Sequence, residues 1–443
     1  MELTQGHPLK QLFFFALPLV FGTVFQQLYS FVDTVLVGRF LGTDALGAVG
    51  VTYSLHFLIM GFVQGLCVGF GIVLAQGFGA KDREGLQRFF WNGAYLCAGI
   101  SFLLAAVTIL LTKPLLRLIQ TPEELLPLAA AYVQILFLGL PATVLYNYSA
   151  NALRAVGDSQ RPFYFLLLSS IVNIALDCLF IVPLHGGVAG AAWATVLSQL
   201  LSGVLNSLWY FFRAGVMERG GPRPAPSLAC MGRLCAVGLP MGLEYSVSAI
   251  GAVVMQGGIN TLGKTAVAAQ TAGEKIRQMF TLPMESVGMA MATYTGQNYG
   301  AGRMDRIRAG IRWGLLLQYV YCGAAWLVIF LLKAPLTTLV LGESVSPVAQ
   351  GAIQYLTLIS PLFFLHGSLM IFRNTLQGLG KSLLAIVSGA GELVGRSLGG
   401  LAAAQLSSFA LICLTNPLAW GLGAVYCLGM TCWILNKSKE FSI

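Results

Sequence analysis

Twelve apolar stretches follow one another along this chain, each about as long as a bilayer crossing requires and joined by short connectors. They run over 12–37, 47–78, 91–112, 127–150, 163–183, 188–212, 235–260, 267–298, 313–332, 348–372, 383–401 and 409–435. A helix needs about 20 apolar residues to span the hydrocarbon core, whereas a barrel strand needs about ten of alternating polarity, and nothing here alternates. Of the 443 residues, 56% are hydrophobic and only 10% charged, against about 25% charged in soluble domains. The 52 glycines suit close-packed membrane helices. These features exclude a soluble enzyme, a disordered chain and a collagen-like fibre. An all-α integral membrane protein of twelve transmembrane helices is expected. Met1 to Lys10 is polar and the stretch after it is too long for a signal sequence, so no cleavable leader is expected.

Orientation follows from the basic residues, which favour the cytoplasmic side. Starting inside, most of the 26 lysines and arginines fall on the inner segments. These hold Lys10, Lys81, Arg83, Arg88, Arg154, Arg161, the Arg213–Arg233 group, the Arg303–Arg312 group, Arg373, Lys381, Lys437 and Lys439. The outer segments hold Arg39, Lys113, Arg117, Lys264 and Lys333, and Lys275, Arg277 and Arg396 fall within spans. Both termini are therefore predicted cytoplasmic, and the +9 net charge reads as a topology signal rather than a nucleic-acid footprint.

The two halves resemble each other at an offset near 222. Pro18 pairs with Pro240, Leu41-Gly42 with Leu262-Gly263, Gln76 and Gly79 with Gln297 and Gly300, and 151–159 with 374–382. Six helices per half place both copies in the membrane from the same side. The repeat thus predicts two six-helix lobes related by a pseudo-two-fold axis along the membrane normal. The lobes are 1–212 and 231–443, joined by a charged, Pro-rich cytoplasmic linker at 213–230.

Charged groups inside a bilayer are costly and mark function or pairing. Asp33 and Asp177 lie near the outer ends of the first and fifth spans, so two acids of one half share a depth. Gln26, Tyr29 and Ser30 precede Asp33 on its helical face, and Asn173 and Ser170 precede Asp177. The sixth span carries Thr195, Gln199, Ser202 and Asn206 along one stripe, and the fourth adds Asn147 and Asn151. Carboxylates with hydroxyl and amide oxygens suit a proton or a hard cation such as Na+. The hydroxyls and amides read equally as glue between helices.

In the second half, Glu274, Gln278, Thr281 and Glu285 fall on one face of the eighth span with Arg277 beside them. Glu244 lies on the seventh span, nearer its start, and Glu392 and Arg396 on the eleventh have the spacing of an ion pair. The acids do not follow the repeat, so the halves share scaffold but not chemistry. His56 and His366 also fall within spans, where a hydrogen-bonded packing role is the commoner one. Gly258 to Thr265 reads GINTLGKT, a phosphate-loop pattern, but it joins two apolar spans instead of following a strand and is discounted. Gly61, Gly65 and Gly69, and Gly391, Gly395 and Gly399, mark close helix packing. The nine cysteines include no CxxC pair, so neither a disulfide framework nor a zinc site is expected.

The run Pro18 to Gly22 (PLVFG), Val32-Asp33-Thr34 and Val37-Gly38-Arg39 resembles the first helix of multidrug and toxic compound extrusion (MATE) transporters of prokaryotic type. So do Ala75-Gln76 with Gly79-Ala80, Gly296-Gln297-Asn298 with Gly300-Ala301, Leu153 to Ser159 (LRAVGDS), and Gly187 to Thr195 (GVAGAAWAT). The resemblance implies two six-helix lobes around a central cleft. It further implies export of organic, often cationic, compounds in exchange for protons or sodium. By the same resemblance Asp33 and Asp177 bind the coupling ion, with Tyr29, Asn173 and Thr195 as polar neighbours, and Pro18 is the proline implicated in bending of the first helix. Glu392 and Arg396 look like a pair frequent on the eleventh helix.

The expected protein is thus a secondary antiporter of the inner membrane, coupled to H+ or Na+. It has no resident metal or cofactor, acts on small organic molecules within the lipid bilayer, works as a monomer, and has no catalytic residues. Gln26, Asn151, Gln199, Glu274, Gln278, Glu285, Glu392 and Arg396 are expected to line the substrate cleft or serve as secondary polar sites. A flippase for a lipid-linked or phosphorylated precursor would gather arginines in its cleft, where Arg277 and Arg396 are the intramembrane candidates and both have glutamates nearby. A membrane enzyme would need a catalytic constellation that His56 and His366 lack. A passive channel would conduct without exchange.

Overall fold

The computed structural model describes residues 2–212, 223–342 and 345–440. Among these, every regular element is a helix: α1 (Pro8–Leu41), α2 (Thr43–Gly79), α3 (Arg83–Leu118), α4 (Leu126–Leu138), α5 (Leu140–Ala155), α6 (Gln160–Ile181), α7 (Gly187–Phe212), α8 (Leu228–Asn260), α9 (Lys264–Gly300), α10 (Met304–Leu341), α11 (Pro347–Ile359), α12 (Phe363–Gly378), α13 (Ser382–Gln405) and α14 (Phe409–Glu440), with a 3-10 turn at Ser360–Leu362. By length and composition eight segments can cross a membrane, or nine with the bent α4–α5 pair. Among the described residues α8, α9 and α13, which carry Glu244, Glu274, Glu285 and Glu392, are not in that set.

Two stretches that read as single spans are broken. The α4–α5 pair bends by 46° at Gly139, two residues before Pro141, whose missing N–H removes a helix hydrogen bond. Gly139 has no room for a side chain there: a Cβ would lie 2.2 Å from Val196 Cγ2 on α7. The second break falls at Ser360–Leu362, around Pro361. Joining each broken pair turns fourteen helices into twelve passes in the order of the apolar stretches. At the tight α1–α2 and α8–α9 turns, Gly42 and Gly263 adopt φ of 87° and 85°, a left-handed conformation that glycine takes without a Cβ penalty. The GINTLGKT run therefore straddles a helix-to-helix turn. Of the 213–230 linker, residues 213–222 lie outside the described set, and α8 already begins at Leu228.

The chain folds into two compact units. Unit 1 comprises Phe21–Gly242 and unit 2 comprises Leu3–Val20 with Leu243–Ile443. The unit boundaries thus fall inside α1 and α8, away from the repeat boundary.

In unit 1, α2 meets α8 almost backbone to backbone. A Cβ on Gly65 would lie 2.4 Å from Met241 O, and one on Gly69 2.5 Å from Gly238 Cα. A small apolar core gathers Val37, Tyr132, Leu136, Ile181 and Val188. Residues 223–227 lie along α3, where Asn92 Oδ1 accepts from Ser227 N at 2.7 Å and Arg223 sits over the Trp91 ring.

Unit 2 has a larger apolar core running from Leu3, Leu12 and Phe15 to Tyr355, Phe363 and Trp420. Its α13 and α14 touch through Gly395 and Gly399, whose added Cβ atoms would lie 2.7 Å from Ala419 Cα and Thr415 Oγ1. The residues before α1 are strapped to the α9–α10 turn. Arg306 donates to the carbonyls of Leu3, Gln5 and Gly6 and to Gln11 Oε1.

Candidate functional site

In unit 1, α1 and α6 present Asp33 and Asp177 to each other within electrostatic range. Asp177 is fully buried, Asn173 one turn before it is 1% exposed, and Asp33 is half-buried. Neither carboxylate oxygen of Asp177 has a hydrogen-bond partner, nor does Asp33 Oδ1, nor either amide atom of Asn173. Buried polar atoms are nearly always paired, so this cluster of orphans is the most unusual polar feature of the unit. One turn beyond the aspartates, Val37 and Ile181 enter the apolar core with Tyr132. One turn before them, Tyr29 and Asn173 line a polar cleft of about 300 Å³, open mouth included. The acids therefore sit between an apolar plug and a polar cavity.

Gln26, Tyr146, Ser169, Ser170, Ser198, Gln199 and Ser202 complete the cleft wall with Leu166. Tyr29 hydrogen-bonds Gln26 and lies near both aspartates and Tyr146. Gln199 Oε1 accepts from Thr143. Two expected members are engaged elsewhere. The Thr195 hydroxyl donates to Ala191 O of its own helix at 3.2 Å, and Asn151 donates to Asn147 O at 2.8 Å. Serine and threonine in helices commonly make such backbone bonds. Tyr132 on α4, near both aspartates and Tyr29, and Tyr146 were not legible. A phenol inside an apolar run looks like any other aromatic packing residue.

Unit 2 collects charges instead of leaving them bare. Arg373 Nε lies 3.0 Å from Glu244 Oε1, and its Nη1 2.7 Å from Glu392 Oε1. Arg396 Nη2 donates to Glu392 at 3.2 Å, making the expected ion pair, and its Nε to Asn416 at 3.3 Å. Gln377 donates to Glu244 at 2.8 Å. On α9, Arg277 donates to both oxygens of Glu274 and to Thr281, and Tyr355 donates to Glu274. Four carboxylates face three guanidiniums here. Glu285, half exposed, is the unmatched one, with His366 Nε2 at 3.9 Å. Gln278 stays exposed on α9.

Three readings need correction. Glu244 is not near the start of its helix: it lies midway along α8 and is 9% exposed. Arg373 is not in an inner loop, because α12 runs on to Gly378 and carries the guanidinium into the network. His366 packs without hydrogen bonds: neither ring nitrogen has a hydrogen-bond partner, Glu285 lying 3.9 Å from Nε2, and the ring lies 4.7 Å from that of Trp420.

The MatE family model matches residues 18–179 and 240–395, which is most of the chain and both halves of the repeat. The chain belongs to the MatE family. It is 33% identical over 306 residues to the probable multidrug resistance protein YpnP of Bacillus subtilis (strain 168), covering 69% of this chain and 68% of that one. To the probable multidrug resistance protein YoeA of the same organism it is 29% identical over 378 residues, covering 83% and 81%. Its fold superposes on an outward-facing multidrug resistance MATE family transporter with a TM-score of 0.92, at 22% identity and 98% coverage of each chain. MatE proteins are multi-pass membrane transporters of small molecules, not enzymes.

Proposed function

We propose that this MatE protein is an ion-coupled antiporter that exports cationic organic molecules by alternating access, with Asp33 and Asp177 as the coupling site. The orphaned, fully buried carboxylate of Asp177 beside Asp33 carries the reading. An ionised carboxylate held from water without donors is costly, so a proton or a hard cation there relieves a cost the fold itself leaves standing. The surrounding oxygens of Tyr29 and Asn173 suit either ion. Ion binding cancels the negative charge that attracts a cationic substrate. Exchange then follows from opposed affinities of the two ligands for the same states.

The arginines favour this reading over a flippase, since Arg277, Arg373 and Arg396 are each bound to a glutamate. The repeat supports six-helix halves at 1–212 and 231–443, and the basic-residue bias supports cytoplasmic termini in the inner membrane. We take the monomer as the working unit, with no nucleic-acid partner.

The test is efflux of a fluorescent lipophilic cation from proteoliposomes under a pH gradient or a sodium gradient, for wild type and Asp33→Asn. Efflux driven by one gradient and lost in the variant is expected. Unimpaired exchange by a folded Asp33→Asn protein would remove the assignment.

A further inference from the structure

The cleft of unit 1 has an uncommon wall for a site that takes organic cations. Among the described residues Leu166 is the one aliphatic side chain lining it. Serines line it from two helices packed against each other, Ser169 and Ser170 on α6 and Ser198 and Ser202 on α7. These four are only 1–6% exposed, so the slot they form is narrow and admits a group about the size of a water molecule. Gln26, Tyr29 and Tyr146, which are more exposed, line the same cleft.

The serine protons are already in use. Ser169 and Ser170 donate to Leu166 O at 2.9 and 2.8 Å, and Ser198 donates to Thr195 O at 2.9 Å. A hydroxyl that has given up its one proton can only accept, so these three oxygens offer lone pairs to whatever enters. Asn173, in the same wall and 1% exposed, has no partner on either amide atom. Glue between α6 and α7 would pair such groups across the helices, whereas the serine bonds run within each helix. Water could serve this wall, but it brings lone pairs of its own. An ammonium group brings three donors, no acceptor and a positive charge. Spacings of three and four lead along α6 from Ser170 through Asn173 to the Asp177 carboxylate. A quaternary nitrogen has no proton to give, and its methyl shell would leave the wall oxygens desolvated and unpaired.

We propose that the unit 1 cleft selects organic cations by their N–H bonds, taking protonated amines and rejecting quaternary ammonium and phosphonium ions. The ammonium head enters the slot between α6 and α7 and donates to the serine oxygens and to Asn173 Oδ1. The body of the molecule stays with the more exposed Gln26, Tyr29 and Tyr146. Ser170 and Ser198, one on each helix, are the specificity-determining residues. The inference rests on the proposed function, in which Asp33 and Asp177 draw the exported cation into this cleft.

The probes are monodansylcadaverine, a fluorescent primary ammonium ion at neutral pH, and its trimethylammonium derivative, which keeps the charge, the tail and the fluorophore. Binding is measured by fluorescence polarisation with purified full-length protein. Wild type is expected to bind the primary ammonium about tenfold more tightly, the scale of a charge-assisted hydrogen bond. The double variant Ser170→Ala, Ser198→Ala removes an acceptor from each helix and widens the slot, so the ratio should come close to one. If the double variant does not fold, each single variant carries the test, with an intermediate ratio expected. A wild-type ratio near one, tighter binding of the trimethyl probe, or no binding of either probe overturns the proposal. So does an unchanged ratio in folded serine variants. Equilibrium binding needs no gradient, so normal exchange by Asp33→Asn would remove the coupling assignment and leave this ratio standing. A ratio of one, with exchange lost in Asp33→Asn, would remove the selection alone.

Discussion

Asp177 and Arg373 show two opposite ways of keeping charge in a membrane protein. Arg373 is bracketed by Glu244 and Glu392 at 3.0 and 2.7 Å, so its burial is matched by donors and acceptors on three helices. Asp177 has none of this, although it is the more buried. Replacing it by asparagine removes the carboxylate that the fold leaves unsatisfied. Asp177→Asn should therefore raise the thermal midpoint of the purified protein, by a gain of about 1–3 kcal/mol, while abolishing ion-driven efflux. A lower midpoint would show that the native carboxylate is stabilised after all. Proximity of Asp33 to Asp177 was legible from depth and spacing along two spans. The approach of Tyr132 was not, because it comes from a helix whose rotation no pattern specified.

At the scale of elements, glycine decides which helices touch. Gly69 on α2 leaves no space for even a methyl group against Gly238 on α8, whereas Gly99 on α3 has nothing within 4 Å of a built Cβ. Gly69→Leu should cost about 1–3 kcal/mol, as overpacked interiors do, read as a lower melting temperature or poorer recovery of folded protein. Gly99→Leu should melt like wild type. Equal effects at both sites would remove the packing argument. The glycine spacing announced close contacts but not their partners. The breaks in α4–α5 and α11–α12 were likewise hidden inside continuous apolar runs, although Pro141 and Pro361 stood at each of them. Hydropathy measures transfer from water, which a bend hardly changes.

For the whole molecule, the basic residues settle on alternate connectors, and that bias is what orients a polytopic chain during insertion. A C-terminal green fluorescent protein fusion should therefore fluoresce in cells, and a C-terminal alkaline phosphatase fusion should be inactive, as each reports the cytoplasmic side. Active phosphatase would reverse the orientation and with it the direction assigned to transport. The compact units follow contacts rather than repeats, since the division falls within α1 and α8. A repeat in sequence records common ancestry of segments, whereas packing assigns each turn of helix to the neighbours that bury it.

The twelve passes, the duplicated halves, the membrane setting and the two aspartates follow from the order of residues alone. Each depends on properties that repeat along one helix: hydropathy over about 20 residues, a spacing of 3.6, a charge bias between connectors. The three-helix bracket around Arg373 and the orphaned state of Asp177 were decided only in three dimensions. A partner, or the lack of one, is a property of helices distant in sequence, and their rotations are set by packing that no one-dimensional pattern contains.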